Sequence, residues 1–119
     1  MRADIPLFSY GTLQKAEVQL GSYGRLLDGV ADTLHGFRLE PITIRNADVV
    51  GLSGLEVHSI AVATGDADDV VPGVVFLLSA DELAATDTYE GDNYQRIEVV
   101  LASGRRAFAY VAPVPAAGA

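Results

Sequence analysis

The sequence predicts an α+β domain in which strands outnumber helices. Three observations carry that prediction. Short apolar or alternating runs, bounded by Gly, Pro, Asn, Asp or Ser, recur along most of the chain. Ser79-Ala80-Asp81-Glu82 has the spacing of a capping box, a serine at the cap and a glutamate three residues on. Residues 94–102 alternate, with Ile97, Val99 and Leu101 on one face and Arg96, Glu98 and Val100 on the other, and Ser103-Gly104 turns them into a partner run at 106–111. Many strands with few helices imply a curled or barrel-like mixed sheet with flanking helices.

Taken in order, residues 5–10 form a strand apolar enough to be buried on both faces. Thr12 is placed to cap a short helix around 15–20, which Gly21 closes. Residues 25–27 and 30–34 flank Asp28-Gly29, a pair suited to a type I′ hairpin turn. Residues 37–39 and 42–44 are extended, with Pro41 marking a break or an edge. A polar, glycine-containing loop at 46–55 leads to a strand at 57–63 and an acidic turn at 64–69. The run 70–78 is strongly β, with Pro72-Gly73 near its start. After the capping box a helix spans 80–89, and Gly91 suits its left-handed C′ position. The Ala/Pro tail from 112 is expected to be loosely held.

Composition bounds the function. The 119 residues make one domain, 1–119, and half of them are apolar. No run has the ~18 apolar residues of a membrane span, and the first residues lack a signal-peptide core, so a cytoplasmic location is expected. The chain has no cysteine, which removes disulfides, thiolate metal sites and cysteine nucleophiles. Its two histidines, His35 and His58, are far apart in sequence, so neither metal nor cofactor is expected. A formal net charge of −8 repels phosphate backbones and argues against nucleic-acid partners. The expected state is monomer or homodimer.

Two segments carry candidate chemistry. Tyr10-Gly11-Thr12-Leu13 follows the first strand. If a helix begins there, its first N–H groups have no partner within the helix and suit an anion or a developing oxyanion. The same tetrapeptide also serves as an ordinary strand-to-helix junction. Further on, Glu90 closes a helix. The negative end of the helix dipole and the neighbouring Asp87 and Asp92 disfavour its ionisation, and burial would add to this, leaving a carboxyl able to take and return a proton near neutral pH. A solvated helix-end glutamate is the alternative. Tyr94 and Arg96 fall on one face of the next strand, suited to orienting a substrate and binding a carboxylate. Arg96 equally suits an ion pair with Glu98 or with an acid across the sheet. His58 and Arg45 flank the 46–55 loop, within reach of a pocket mouth or simply structural.

Together these segments resemble the gamma-glutamylcyclotransferase-like family, the small gamma-glutamylamine cyclotransferase and plant avirulence-induced-protein-like domains. The resemblance rests on Phe8-Ser9-Tyr10-Gly11-Thr12-Leu13, on Asp87-Thr88-Tyr89-Glu90-Gly91 followed by Tyr94-Gln95-Arg96, and on Gly73 at the head of Val74-Val75-Phe76. It implies a small barrel-like mixed sheet with a cavity where the two motifs meet. It implies Glu90 as acid–base residue and Tyr10, Gly11, Thr12 and Leu13 as the substrate-binding loop. The reaction it implies is intramolecular aminolysis: the α-amine of a gamma-glutamyl group attacks its own side-chain carbonyl, giving 5-oxoproline and a free amine. Thr86 departs from the family, which often has an apolar residue there.

Three functions are thus expected to compete. One is a cofactor-independent cyclotransferase acting on a small gamma-glutamyl substrate. Another is a non-catalytic module binding an amino-acid-like ligand on the same fold. The third is an interaction domain, which requires a pocket closed by side chains and a Glu90 directed to solvent.

Overall fold

The computed structural model describes residues 3–43 and 57–113. Its strands are β1 (Ile5–Ser9), β2 (Gly29–His35), β3 (Phe37–Thr43), β4 (Val57–Ala63), β5 (Val70–Leu78), β6 (Gln95–Val100) and β7 (Arg106–Val111). Among the described residues two helices, α1 (Ala16–Tyr23) and α2 (Ala80–Glu90), are joined to neighbouring strands by 3₁₀ turns at Thr12–Gln14 and Gly91–Asn93. Five strands form a mixed sheet in the order β2-β5-β1-β7-β6, and β3 and β4 form a second, two-stranded sheet. The fold is α+β, as expected. Among the described residues the sheets do not close into a barrel.

β1 is the middle strand, antiparallel to β5 and parallel to β7. Because alternate side chains leave a strand on opposite faces, its neighbours Leu7 and Phe8 enter different cores. Leu7 packs with Leu13, Val18, Leu83 and Tyr110 under the helices. Phe8 packs with Leu34, Ala61, Val75 and Val111 on the side of the small sheet. Close approach of β1 and β5 requires glycine at 73, since a Cβ there would run into the Ser9 carbonyl and the Phe8 ring.

The α2 capping box forms as its sequence dictates. Ser79 Oγ accepts from the Glu82 N–H at 3.2 Å, and Glu82 Oε1 accepts from the Ser79 N–H at 2.9 Å. Arg25 adds a bidentate pair to the Glu82 carboxylate at 2.7 and 2.8 Å. Thr86 is fully buried where α2 meets α1. Its hydroxyl lies 2.6 Å from the Tyr23 hydroxyl and 2.8 Å from the Glu82 carbonyl, so the departure from an apolar residue is met by a hydrogen-bonded pair between helices.

Several local expectations are corrected. Thr12 does not cap α1: the helix starts four residues later, with Lys15 at its cap, and the Thr12 hydroxyl instead bonds the Tyr89 hydroxyl at 2.6 Å. Gly21 lies inside α1, which runs on to Gly24 at φ 70. Asp28-Gly29 makes no hairpin, because β2 takes β5 as its partner and 25–27 form no strand. Of the two readings of Pro41, the edge holds and the break does not: it sits within β3 opposite Ser59, and β3 pairs only with β4, leaving an edge where a missing N–H costs nothing. The run 70–78 forms β5 with Pro72-Gly73 near its start, as expected. Gly91 has the expected positive φ of 66, but its ψ of −158 is extended rather than helical. The 46–55 loop, Arg45, Ile44 and the tail from 114 lie outside the described residues.

Candidate active site

β1 stops at Ser9, and the chain turns at once into the Thr12–Gln14 turn. The turn's first backbone donor is the Gln14 N–H, which bonds the Gly11 carbonyl at 3.1 Å. The N–H groups of Gly11, Thr12 and Leu13 precede that bond and have no acceptor within the turn. Two glutamines brace it. Gln14 Nε2 donates to the Ser9 carbonyl at 2.8 Å. Buried Gln19 donates to the Leu13 carbonyl at 2.9 Å and accepts from the Leu27 N–H at 2.9 Å. Gly11 adopts φ −134, so no left-handed backbone explains a glycine here, and a Cβ on it would meet no protein atom within 4 Å.

This turn forms one wall of a cavity of about 320 Å³, whose lining includes Tyr10, Gly11, Thr12, Leu13, Glu90 and Tyr94. The cavity opens between the two sheets and the end of α2, with His58 and Ser59 of β4 and Tyr110 of β7 completing it. Glu90 is the last residue of α2, and desolvation pushes its carboxyl up to about 8. Burial is the cause; the neighbouring acids, expected to contribute, do not set the shift. Asp87, one turn earlier, is engaged elsewhere, accepting from the Tyr110 hydroxyl at 2.5 Å and from Arg96 at 3.0 Å.

Tyrosines surround the carboxyl. Tyr10, Tyr23, Tyr94 and Tyr110 are all raised, first by burial and further by the Glu90 charge, Tyr23 to about 12. Their hydroxyls are nonetheless occupied. Tyr10 donates to the Tyr110 carbonyl at 2.5 Å and accepts from the Ala61 N–H at 2.9 Å. Tyr94 donates to the Ser59 carbonyl at 3.2 Å, the longest of these tyrosine bonds.

The structure thus brings Tyr10, Gly11, Thr12, Leu13, Glu90 and Tyr94 to one cavity and leaves Arg96 outside it. Arg96 pairs with Asp87, an acid on the helix, and its guanidinium lies 5.1 Å over the Phe108 ring. His58 is buried and lines the cavity. Tyr110, Ser59, Gln14 and Lys15 also line it and carry no motif of their own. Tyr110 shares a face of β7 with exposed Arg106 and half-buried Phe108, so strand alternation does not signal it. Among the described residues no cluster of three His, Asp or Glu is placed to hold a metal ion. No helix there is long and apolar enough to cross a membrane.

The sequence profile of the family described as "Gamma-glutamyl cyclotransferase, AIG2-like" matches residues 7–118. Solved structures share the fold. A structure named gamma-glutamyl cyclotransferase superposes with a TM-score of 0.70 at 18% identity, over 92% of this chain and 66% of that one. An uncharacterized protein from Homo sapiens gives 0.71 at 18%, over 95% and 69%. A protein from Arabidopsis thaliana, solved in solution, gives 0.69 at 23%, over 93% and 72%. Identities this low carry the fold alone. No curated protein matches the chain.

Proposed function

We propose, on the premise that this chain belongs to the gamma-glutamyl cyclotransferase, AIG2-like family, that it cyclises a gamma-glutamyl amine or peptide to 5-oxoproline and a free amine. The observation that carries this reading is a half-buried, desolvated carboxyl, Glu90, in the same open cavity as the turn whose N–H groups precede the first hydrogen bond of the 3₁₀ helix.

The chemistry follows from those groups. Nucleophile and electrophile belong to one substrate, so holding its folded conformer supplies much of the rate. The Glu90 carboxylate takes a proton from the α-ammonium, and the freed amine attacks the γ-carbonyl carbon. A carbon–nitrogen bond forms and the carbonyl oxygen becomes an oxyanion, which the N–H groups of Gly11, Thr12 and Leu13 stabilise. Glu90 returns its proton to the leaving nitrogen, the original amide bond breaks, the ring carbonyl reforms, and the ring nitrogen gives up its second proton to the departing amine. The rings of Tyr10 and Tyr94 wall the substrate. Arg96 has no direct part in this scheme, because Asp87 and Phe108 hold it.

The test is release of 5-oxoproline from a panel of gamma-glutamyl amines and dipeptides. Turnover by the wild type that disappears in Glu90→Gln is expected. A wild type inactive across the panel, with a ligand bound equally by wild type and Glu90→Gln, would replace the enzyme by a non-catalytic binding module.

A further inference from the structure

We infer that Tyr10 is a positioning residue: its hydroxyl is spliced into the hydrogen-bond ladder between β4 and β7 and holds that seam open, which gives the cavity its width. The inference rests on the function proposed above for its kinetic consequences, though not for its geometry.

The seam is visible in three bonds. The Ala112 N–H donates directly to the Ala61 carbonyl at 2.8 Å. In a parallel ladder the same residue, Ala61, would donate its own N–H to the Tyr110 carbonyl, two residues back along the partner strand. That bond is replaced by two. The Ala61 N–H donates to the Tyr10 hydroxyl at 2.9 Å, and the Tyr10 hydroxyl donates to the Tyr110 carbonyl at 2.5 Å. The hydroxyl stands where a water would bridge two parted strands, but it is tethered to a side chain.

The topology explains the gap. β7 pairs with β1 at Leu7 and Phe108, and beyond Ser9 the β1 chain turns away toward α1. β4 takes the vacated place beside the end of β7. Tyr10 leaves β1 at this point of exchange, so its ring lines the cavity while its hydroxyl reaches the seam. The other end of the strut is fixed as well. Tyr110 donates its hydroxyl to Asp87, one helical turn before Glu90, and Arg96 holds Asp87 from β6. One continuous path therefore links the helix end carrying Glu90, β7, the amide turn and β4. At this separation of the strands both buried backbone groups at the seam are satisfied through the Tyr10 hydroxyl.

Tyr10→Phe keeps the ring and removes the splice. The Ala61 N–H and the Tyr110 carbonyl then pair directly, the two strands draw together and the cavity narrows. The expected result is a folded protein with a melting temperature close to wild type and a kcat/KM lower by about tenfold to a hundredfold, carried mainly by KM, with the pH profile of kcat unmoved. Its crystal structure is expected to show a direct Ala61–Tyr110 backbone bond and a smaller cavity. Tyr110→Phe, which leaves the seam's backbone groups intact, is the companion variant and is expected to keep the wild-type seam. Wild-type kcat/KM in folded Tyr10→Phe would overturn the inference. So would a loss confined to kcat with a displaced pH profile, which would make the hydroxyl a participant in the chemistry. If the wild type turns over no gamma-glutamyl compound, the proposed function fails by itself, and the seam is judged on the crystal structures: an unchanged cavity in Tyr10→Phe overturns it.

Discussion

At the scale of single residues, Glu90 trades stability for a usable proton. Its carboxyl is raised from the ordinary 4.5 to about 8 by desolvation, so the folded state holds a proton that the unfolded chain gives up. The stability associated with that proton is complete below about pH 4.5 and is lost as pH rises through about 8. Glu90→Gln is therefore expected to match the wild type at pH 4 and to exceed it by a few kcal/mol at pH 8, read as the gap between thermal or denaturant midpoints at the two pH values. If Glu90 begins the reaction as a base, kcat/KM of the wild type is expected to climb with pH and level off above about 8. A profile flat from pH 6 to pH 9 would remove Glu90 from that role. Glu90 and the Tyr10–Leu13 turn could be singled out as candidates from the sequence because each lies in a short local motif, and both line one cavity. The cause of the Glu90 shift was not legible, because burial depends on tertiary packing that the neighbours Asp87 and Asp92 do not disclose. The engagement of Arg96 was hidden for a related reason: its partner lies on the helix, not across the sheet.

Among the elements, α2 was the easiest to read, since its cap is written in four consecutive residues. α1 was misplaced because it has no such cap; its cap residue Lys15 makes no side-chain bond to the helix, and packing fixes its limits instead. The Asp28-Gly29 turn was misread because a local turn signal competed with seven-residue pairing of β2 along β5, and the longer pairing prevailed. The contact of α1 with α2 offers a clean measurement. Thr86→Val is expected to cost about 1 kcal/mol, since it leaves the part-buried Tyr23 hydroxyl without its partner. Combined with Tyr23→Phe, the loss is expected to shrink toward zero, because both polar groups then leave together. A strictly additive double mutant would mean that the two hydroxyls do not interact. Within β5, Gly73→Ala is expected to destabilise by about 1–3 kcal/mol or more, as the new methyl meets the backbone of Ser9. Gly29→Ala meets only the side chains of Val74 and Phe76, which can yield, and is expected to cost less.

For the whole molecule, the α+β class was legible from turn spacing and alternation, whereas the sheet order was not. Nothing local to residues 5–9 says that β1 will sit between β5 and β7. The arrangement gives stability a gradient. β1 and β5 each have partners on both sides, while β3 and β4 form a two-stranded sheet whose β4 meets the large sheet at the Ala61 seam and whose β3 pairs with β4 alone. Amide exchange is expected to be slowest in β1 and β5 and faster in β3. Equal protection throughout would mean that the small sheet opens only with global unfolding.

The central place of β1 also sets a timetable. Its partners in β5 and β7 lie about seventy and a hundred residues further along the chain, so its docking closes the longest loops of the fold. The pairs β3–β4 and β6–β7 can zip locally without it. The amide turn and Tyr10 travel with β1. Until that strand is threaded between its neighbours, Glu90 has a helix but no pocket, and during refolding helical signal is expected to run ahead of any ability to bind a ligand.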